Sequence, residues 1–376
     1  MTVEIPKASI PKALTGASLT IDLAAIVANY RLLCAQAAPA RTAAVVKANA
    51  YGLGAEQVAG ALQRAGCRDF FVAHLHEALS LKPTLAPGAV FYVLNGLQPG
   101  AQAACADAGI IPVINSLEQA KLWRDLAAER GVVLPAAVQV DSGMARLGLM
   151  AADVAVLAAD TDFFSHVSLA LVMSHLACGD EPGAASNAEQ LGRFEALAGQ
   201  LPPAPRSLAN SGGIFLPVGF HGDLARPGVS LYGCAPNDAP NPMRPVVRLD
   251  ARVIQVRQVA AGEGVGYGLT YHRERPGQIA TIAIGYADGW LRSLSNVGGA
   301  YSHGIRLPIA GRVSMDSITL DVTALIEQGF TLGLGDEVEL LGPHQTLEDV
   351  ARDAGTIPYE ILTGLGQRFH RTYLEG

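Results

Sequence analysis

The sequence predicts an α/β protein: an N-terminal (β/α)8 barrel of the TIM type over residues 1–240, then a mostly β domain over 241–376. Three observations carry this. Short apolar runs alternate with longer amphipathic segments from Asp22 to about residue 235. Repeated strand–helix units require parallel strands, because parallel neighbours need a crossover connection. Near residue 236 the texture changes, with Pro236, Pro240, Pro242 and Pro245 breaking up one short stretch.

The barrel strands are read at Ala43–Val46, Phe70–Ala73, Val90–Leu94, Ile110–Ile114, Ala136–Val140 and Leu169–Ser174. Each is a short apolar run, as expected for strands covered on both faces. Helices are read between them, at Ala55–Ala65 and Leu117–Ala128 among others. The second opens with Ser116, a good N-cap, and Gln119 stands three residues on, as in a capping box. Seven or eight such units over about 230 residues suit a barrel, whose usual length is ~250. A doubly wound sheet is the alternative, but no G-x-G-x-x-G turn follows the first strand. Beyond the proline-rich stretch, Val247–Val259 alternates apolar and polar residues like a half-buried strand. Further strands are read at Ile279–Ile284, Ile318–Val322 and Glu337–Leu341, with a short helix at Leu347–Ala354.

Half of the 376 residues are hydrophobic and 16% are charged, which argues against disorder. No apolar run reaches the ~18 residues of a membrane-spanning helix. The start, Met-Thr-Val-Glu-Ile-Pro-Lys, lacks the basic and apolar segments of a secretory signal. A net charge of −7 disfavours nucleic acid as a partner. Cysteines at 34, 67, 105, 178 and 234 form no C-x-x-C pair, which gives neither a disulfide framework nor a zinc site. A cytoplasmic enzyme with inert thiols is the expectation.

The most informative segment is Ala-Val-Val-Lys47-Ala-Asn-Ala-Tyr51-Gly-Leu-Gly54. A lysine directly after a buried strand sits at the C-terminal mouth of a barrel, where such folds place their chemistry. Taken alone, such a lysine is more often a solvated strand end. Other segments change the reading: Asp141-Ser-Gly-Met-Ala-Arg146-Leu-Gly, Ser174-His175, Asn210-Ser211 and Ala225-Arg226-Pro-Gly228-Val229. After the prolines come Val265-Gly-Tyr267-Gly-Leu-Thr-Tyr271, Gly285-Tyr-Ala-Asp-Gly-Trp-Leu-Arg292, Gly311-Arg-Val-Ser-Met315-Asp316 and Ile357-Pro-Tyr359-Glu. Together these resemble the motifs of the alanine racemase family, in the family's order and over nearly the whole chain.

The resemblance implies a pyridoxal 5'-phosphate enzyme that interconverts L- and D-alanine, for D-alanine supply or for catabolism. It implies that Lys47 holds the cofactor as a Schiff base, a role suited to a desolvated amine. It assigns the cofactor phosphate to Tyr51, Ser211, Tyr359 and the backbone N–H groups of Gly228 and Val229, with Asn210 beside them. Gly228 also has a reason of its own, since a residue without Cβ lets backbone approach a phosphate; a simple turn after Pro227 explains it equally well. Arg226 is expected to face the pyridine nitrogen, to which an arginine does not readily give up a proton. That leaves the ring a weaker electron sink and favours return of the proton to Cα.

Racemisation needs an acid–base group on each face of the substrate. The resemblance names Lys47 for one face and Tyr267 for the other, with His175 bonded to Tyr267. A free tyrosine titrates near 10 and needs tuning for this work. Arg146 and the N–H of Met315 are assigned to the substrate carboxylate. Arg292, Tyr286, Ile357 and Tyr359 resemble the family's entrance corridor. The family arrangement also implies a homodimer whose sites combine Lys47 of one chain with Tyr267 of the other.

Two positions depart from the commonest pattern. Gln139 stands where many members carry a carbamylated lysine paired with the substrate-binding arginine. Ser207 stands where many have a histidine that supports the pyridine-facing arginine. Gln139 is expected to accept a hydrogen bond from Arg146. Competing readings are a barrel-only carrier of pyridoxal phosphate, a decarboxylase of the same fold, and a racemase for serine or a broader set. The second domain and the Gly-Tyr-Gly segment disfavour the first; the lack of any cysteine after Cys234 disfavours the second.

Overall fold

The computed structural model describes residues 10–375; the N-terminal heptapeptide read above for a signal lies outside them. The chain divides into two compact units. One holds Ala25–Arg244, and the other combines the described residues up to Ala24 with those from Pro245 onward.

The first unit is the barrel. Seven parallel strands follow one another in chain order: Ala44–Val45, Asp69–Val72, Val90–Val93, Ile111–Ile114, Leu134–Gln139, Val167–Met173 and Arg206–Ser207. Leu224–Ala225 pairs in parallel with Arg41–Thr42, directly before the first of these. On its other side, Asp223 N–H donates to Arg206 O at 2.7 Å and Arg226 N–H to Ala209 O at 2.9 Å. These bonds close the sheet into a ring.

Phe70 and Phe71 show how the strands are held. Residues 69–72 are buried throughout, because alternate side chains point into the ring and outward toward the helices. Phe71 stacks on Tyr92 of the next strand at 4.5 Å between centroids, and Phe70 on Phe91 at 5.5 Å. Each aromatic pair adds to the area it buries.

The helices follow the sequence signals closely. Leu117–Arg130 starts at Ser116, whose Oγ accepts the Gln119 N–H at 3.3 Å, and ends at Gly131 in the left-handed region, φ 63°. The Gln119 side chain reaches one residue further back than a capping box requires, to the Asn115 N–H at 2.8 Å. Among the described residues, no helix is long and apolar enough to cross a membrane.

The second unit is built on Val247–Val259, a strand of 13 residues. It pairs antiparallel with Glu337–Leu341, with Ala17–Asp22 and, toward its far end, with Gly277–Ile282. Ala17–Asp22 also pairs in parallel with His370–Leu374. The sequence reading put residues 17–22 in the first domain; the structure gives them both neighbours in the second. Ser-Leu-Thr-Ile alternates in polarity, and only pairing over a long sequence separation reveals which sheet it joins.

Candidate active site

Lys47 follows Ala44–Val45 at the end of a barrel strand whose position is fixed partly by Tyr232, whose hydroxyl donates to Val45 O at 2.9 Å. Past it the backbone does something unusual for non-glycine residues. Ala48, Asn49, Ala50 and Tyr51 all have positive φ, between 53° and 55°. Together they form a left-handed turn, closed by Ala50 N–H to Val46 O and Gly52 N–H to Ala48 O. Each such residue costs about 1–2 kcal/mol against right-handed backbone. Conformations of this kind persist where their surroundings over-determine them. Burial lowers the Lys47 amine below its usual pKa, Arg146 lowers it further, and Glu77 opposes them.

Arg226 is buried, 3% exposed. Its Nη1 donates to Ser207 Oγ and its Nη2 to Ser174 O at 2.6 Å. Ser207 in turn donates to Leu224 O. The guanidinium lies over the Phe71 ring, 5.9 Å from its centroid. Among the described residues no carboxylate pairs with it. Burial pulls its pKa down to about 9, so it remains a cation and a donor at neutral pH. His175, half-buried, is pushed down to about 3 by burial, then by Arg226, Arg146 and Lys47. Its imidazole is neutral over the working range.

Ser211 Oγ accepts the N–H groups of Gly228, at 2.9 Å, and Ser230, at 3.4 Å. A Cβ on Gly228 would overlap the Tyr51 hydroxyl. Close approach, rather than a turn, is therefore what requires glycine there. Val229 is buried at the start of the short helical turn Val229–Tyr232. Asn210 uses both ends of its amide on backbone: Oδ1 accepts the Gly213 N–H at 2.9 Å and Nδ2 donates to Leu176 O at 3.3 Å. It shapes the loop before Ser211.

Arg146 is exposed and makes no hydrogen bond or ion pair among the described residues. Its loop is ordered by Asp141, whose Oδ1 accepts the N–H groups of Gly143, Met144 and Ala145 at 2.9, 3.0 and 3.1 Å. The hydrogen bond expected from Arg146 to Gln139 is not formed. Gln139 Nε2 donates instead to Leu147 O at 3.2 Å, which ties the buried amide to the backbone of the loop rather than to the guanidinium. Ser207, by contrast, does support Arg226.

The remaining residues stand on the second unit. Tyr267 lies at the tip of a hairpin between Gly264–Val265 and Tyr271–His272 and is 71% exposed, with no hydrogen bond among the described residues. The hairpin is tied down by Tyr271, whose hydroxyl donates to Asp321 at 2.5 Å. Met315 O accepts the Ala287 N–H, and Ser314 O accepts the Tyr286 N–H, both at 3.0 Å. The two loops are locked by Arg368, which grips Asp288 at 2.6 and 2.9 Å and reaches Asp316 at 2.8 Å. Tyr359 lies on the helix Pro358–Gly364, with Ile357 as N-cap. Arg292 and Tyr286 are exposed.

Sequence reasoning missed Glu77, Asp141 and Arg368 as organising groups. Asp141 had a signal, an aspartate two residues before glycine, which favours side-chain bonds to its own loop. Arg368 had none, because its partners are distant in sequence.

The family model for the N-terminal domain of alanine racemase matches residues 21–236, and that for the C-terminal domain matches 246–373. The chain belongs to the alanine racemase family. An alanine racemase of Brucella suis is 57% identical, over 96% of this chain and 94% of its own. A catabolic alanine racemase of Agrobacterium fabrum is 55% identical, over 96% and 93%. Among solved structures, the alanine racemase of Bartonella henselae with covalently bound pyridoxal phosphate superposes with a TM-score of 0.92 at 47% identity, covering 96% of this chain and 99% of that one. That of Streptomyces coelicolor gives 0.91 at 33%, covering 97% and 99%.

Residues of this alanine racemase family member fit pyridoxal phosphate on three counts. Gly228 leaves room that a Cβ would fill, beside Tyr51 and Ser211. Ser230 Oγ is buried without a partner among the described residues, and a buried hydroxyl of that kind is unusual. Arg226 is a buried donor with no carboxylate partner among the described residues.

Proposed function

We infer that this chain interconverts L-alanine and D-alanine with pyridoxal 5'-phosphate carried on Lys47. The observation that carries the reading is Lys47 itself: a lysine at a barrel-strand end, its pKa lowered by burial, with a buried arginine and a glycine-lined cradle in the same unit. When bound, the cofactor accepts the electrons released as the substrate Cα–H bond breaks.

The chain's own residues then have distinct tasks. Tyr51, Ser211, Tyr359 and the N–H groups of Gly228 and Val229 hold the phosphate. Arg226 keeps its proton and would only donate toward the cofactor's ring nitrogen, which would leave that nitrogen without a proton of its own. Lys47 Nζ, its pKa lowered, would take and return the Cα proton on one face once the substrate amine has displaced it from the cofactor. Tyr267 Oη does so on the other, with neutral His175 as its hydrogen-bond partner. Arg146 binds the substrate carboxylate with its fork of donors, helped by the Met315 N–H.

The active unit is a homodimer in which Tyr267 of one chain serves Lys47 of its partner. Support comes from Tyr267, which stands exposed on its own unit. We place the enzyme in the cytoplasm.

Borohydride reduction of the holoenzyme is expected to fix a phosphopyridoxyl group on the peptide containing Lys47. A label on any other lysine sinks the assignment. Mixing Lys47→Ala and Tyr267→Ala proteins under conditions of subunit exchange is expected to restore activity. No recovery despite demonstrated exchange counts against shared sites.

A further inference from the structure

Glu77 is half-buried at the start of the helix Leu75–Leu81. One oxygen, Oε1, accepts the N–H of Ala48 at 2.6 Å. The other, Oε2, accepts the N–H groups of Ala73 and His74 at 2.8 and 2.9 Å. The carboxylate therefore bridges two successive strand-to-helix loops of the barrel. Ala48 is the residue directly after Lys47 and the first of the left-handed turn.

We propose that Glu77 is a positioning residue for Lys47: it clamps the left-handed turn at its first amide and holds the amine where it acts. The proposal rests on Lys47 as the cofactor lysine and adds what keeps it there.

Three features support it. Left-handed backbone at Ala48 is strained, so something outside the turn has to hold it. A hydrogen bond to the first amide acts where that strain begins. Second, all three donors are backbone N–H groups, and they use both carboxylate oxygens. A carboxylate has two accepting oxygens, whereas a glutamine amide has one and would turn N–H toward N–H at the other. Third, Glu77 is the acidic group that acts on Lys47. Among the described residues, the Arg146 guanidinium and the His175 imidazole also interact with the amine. Neither supplies negative charge. His74 and His76, on the clamp's own element, are exposed and stack on each other at 5.8 Å.

The test uses the full-length chain and Glu77→Gln, with two readouts. Hydrogen exchange follows the Ala48 amide in the holoenzyme. With cofactor removed by an amine that captures it, the pH profile of Lys47 acetylation by acetic anhydride is read by peptide mass. Glu77→Gln is expected to speed Ala48 exchange roughly tenfold or more, from loss of a charge-assisted bond. It is also expected to move the Lys47 profile to lower pH, giving roughly threefold greater reactivity at a fixed pH below the midpoint. A purely structural glutamate would leave that profile where it is. If Glu77→Gln does not fold, the double variant Ala48→Gly, Glu77→Gln is used, since glycine adopts φ near 53° freely. Its Lys47 profile is expected to shift in the same direction. An unmoved profile in the folded variant, or unchanged Ala48 exchange in Glu77→Gln, overturns the proposal. Neither readout depends on where the cofactor attaches. A borohydride label on another lysine would defeat the functional reading while leaving the clamp's result to stand by itself.

Discussion

Arg226 gives a hydrogen bond to Ser207, and Ser207 gives its own to the carbonyl of Leu224. A single hydroxyl thus accepts from a buried cation and ties it to the neighbouring barrel strand. A histidine is not needed at position 207 for the arginine to be held. Ser207→Ala leaves Arg226 with one acceptor fewer inside the barrel. The expected cost is about 1–3 kcal/mol, read as a lower urea midpoint for the cofactor-free chain. An unchanged midpoint would mean that the arginine finds another acceptor.

Gly228→Ala places a Cβ in the volume of the Tyr51 hydroxyl. Overpacking of this sort costs about 1–3 kcal/mol, and here it strikes the proposed phosphate cradle. Pyridoxal phosphate affinity is expected to fall roughly tenfold or more, measured by equilibrium dialysis, with the fold intact. Wild-type affinity in the alanine variant would remove Gly228 from the cradle.

Gln139 and Asp141 both act on the loop that carries Arg146, and they differ in reach. Asp141→Ala removes an acceptor shared by three amides and is expected to raise KM for alanine roughly tenfold or more. Gln139→Ala removes one neutral bond to Leu147, worth about 0.5–1.5 kcal/mol, so its KM effect is expected to be roughly two- to tenfold. Steady-state kinetics on both variants checks the order. A larger effect from Gln139 would show that it touches the arginine directly during turnover.

His175 sets an acid limb. Its imidazole is held down to about 3 by burial first and by Arg226, Arg146 and Lys47 next, against about 6.5 in an unfolded chain. Between these values the unfolded chain takes up a proton that the folded one refuses. Stability therefore falls as pH falls from about 6.5 toward 3, with a limiting slope of about 1.4 kcal/mol per pH unit. His175→Asn is expected to flatten that stretch of the pH–stability curve measured by urea unfolding. Parallel curves for the two proteins would show that the imidazole charges in the native state.

Arg368→Ala frees Asp288 and Asp316 together. Because the guanidinium is about half exposed, solvent discounts the ion pair, and the expected loss is about 1–2 kcal/mol. The loop of Met315 then loosens, so KM for alanine is expected to rise while the Lys47 label with borohydride is unchanged. Wild-type KM would show that the Gly285 turn holds Met315 unaided.

Much of the fold was legible because its signals are local. Val247–Val259, Glu337–Leu341 and Leu347–Ala354 come out with the bounds read from the sequence. Ala17–Asp22 and His370–Leu374 do not, since their identity depends on each other. What orders the motif residues of the barrel unit does not show in sequence. Lys-Ala-Asn-Ala-Tyr carries no glycine to announce left-handed backbone, and the carboxylate on that turn comes from the next loop. Gln139 misled for the opposite reason. A lysine's place in the family suggested a partner, whereas the Gln139 amide bonds the backbone carbonyl of Leu147.

The pairing of Ala17–Asp22 with both Val247–Val259 and His370–Leu374 has a consequence for synthesis. The barrel is an insertion between the first strand of the β unit and the rest of it. As the chain leaves the ribosome, residues 25–244 can close around their own core while the strand before them still lacks both neighbours. That strand can take Val247–Val259 as its first neighbour but keeps an open edge until the final segment emerges. Contacts of such long sequence separation form slowly, and an open edge is where chains aggregate. Overproduction that outruns this last pairing step is therefore expected to trap molecules with a finished barrel and an unfinished second unit. Slower synthesis at lower temperature should favour the soluble form.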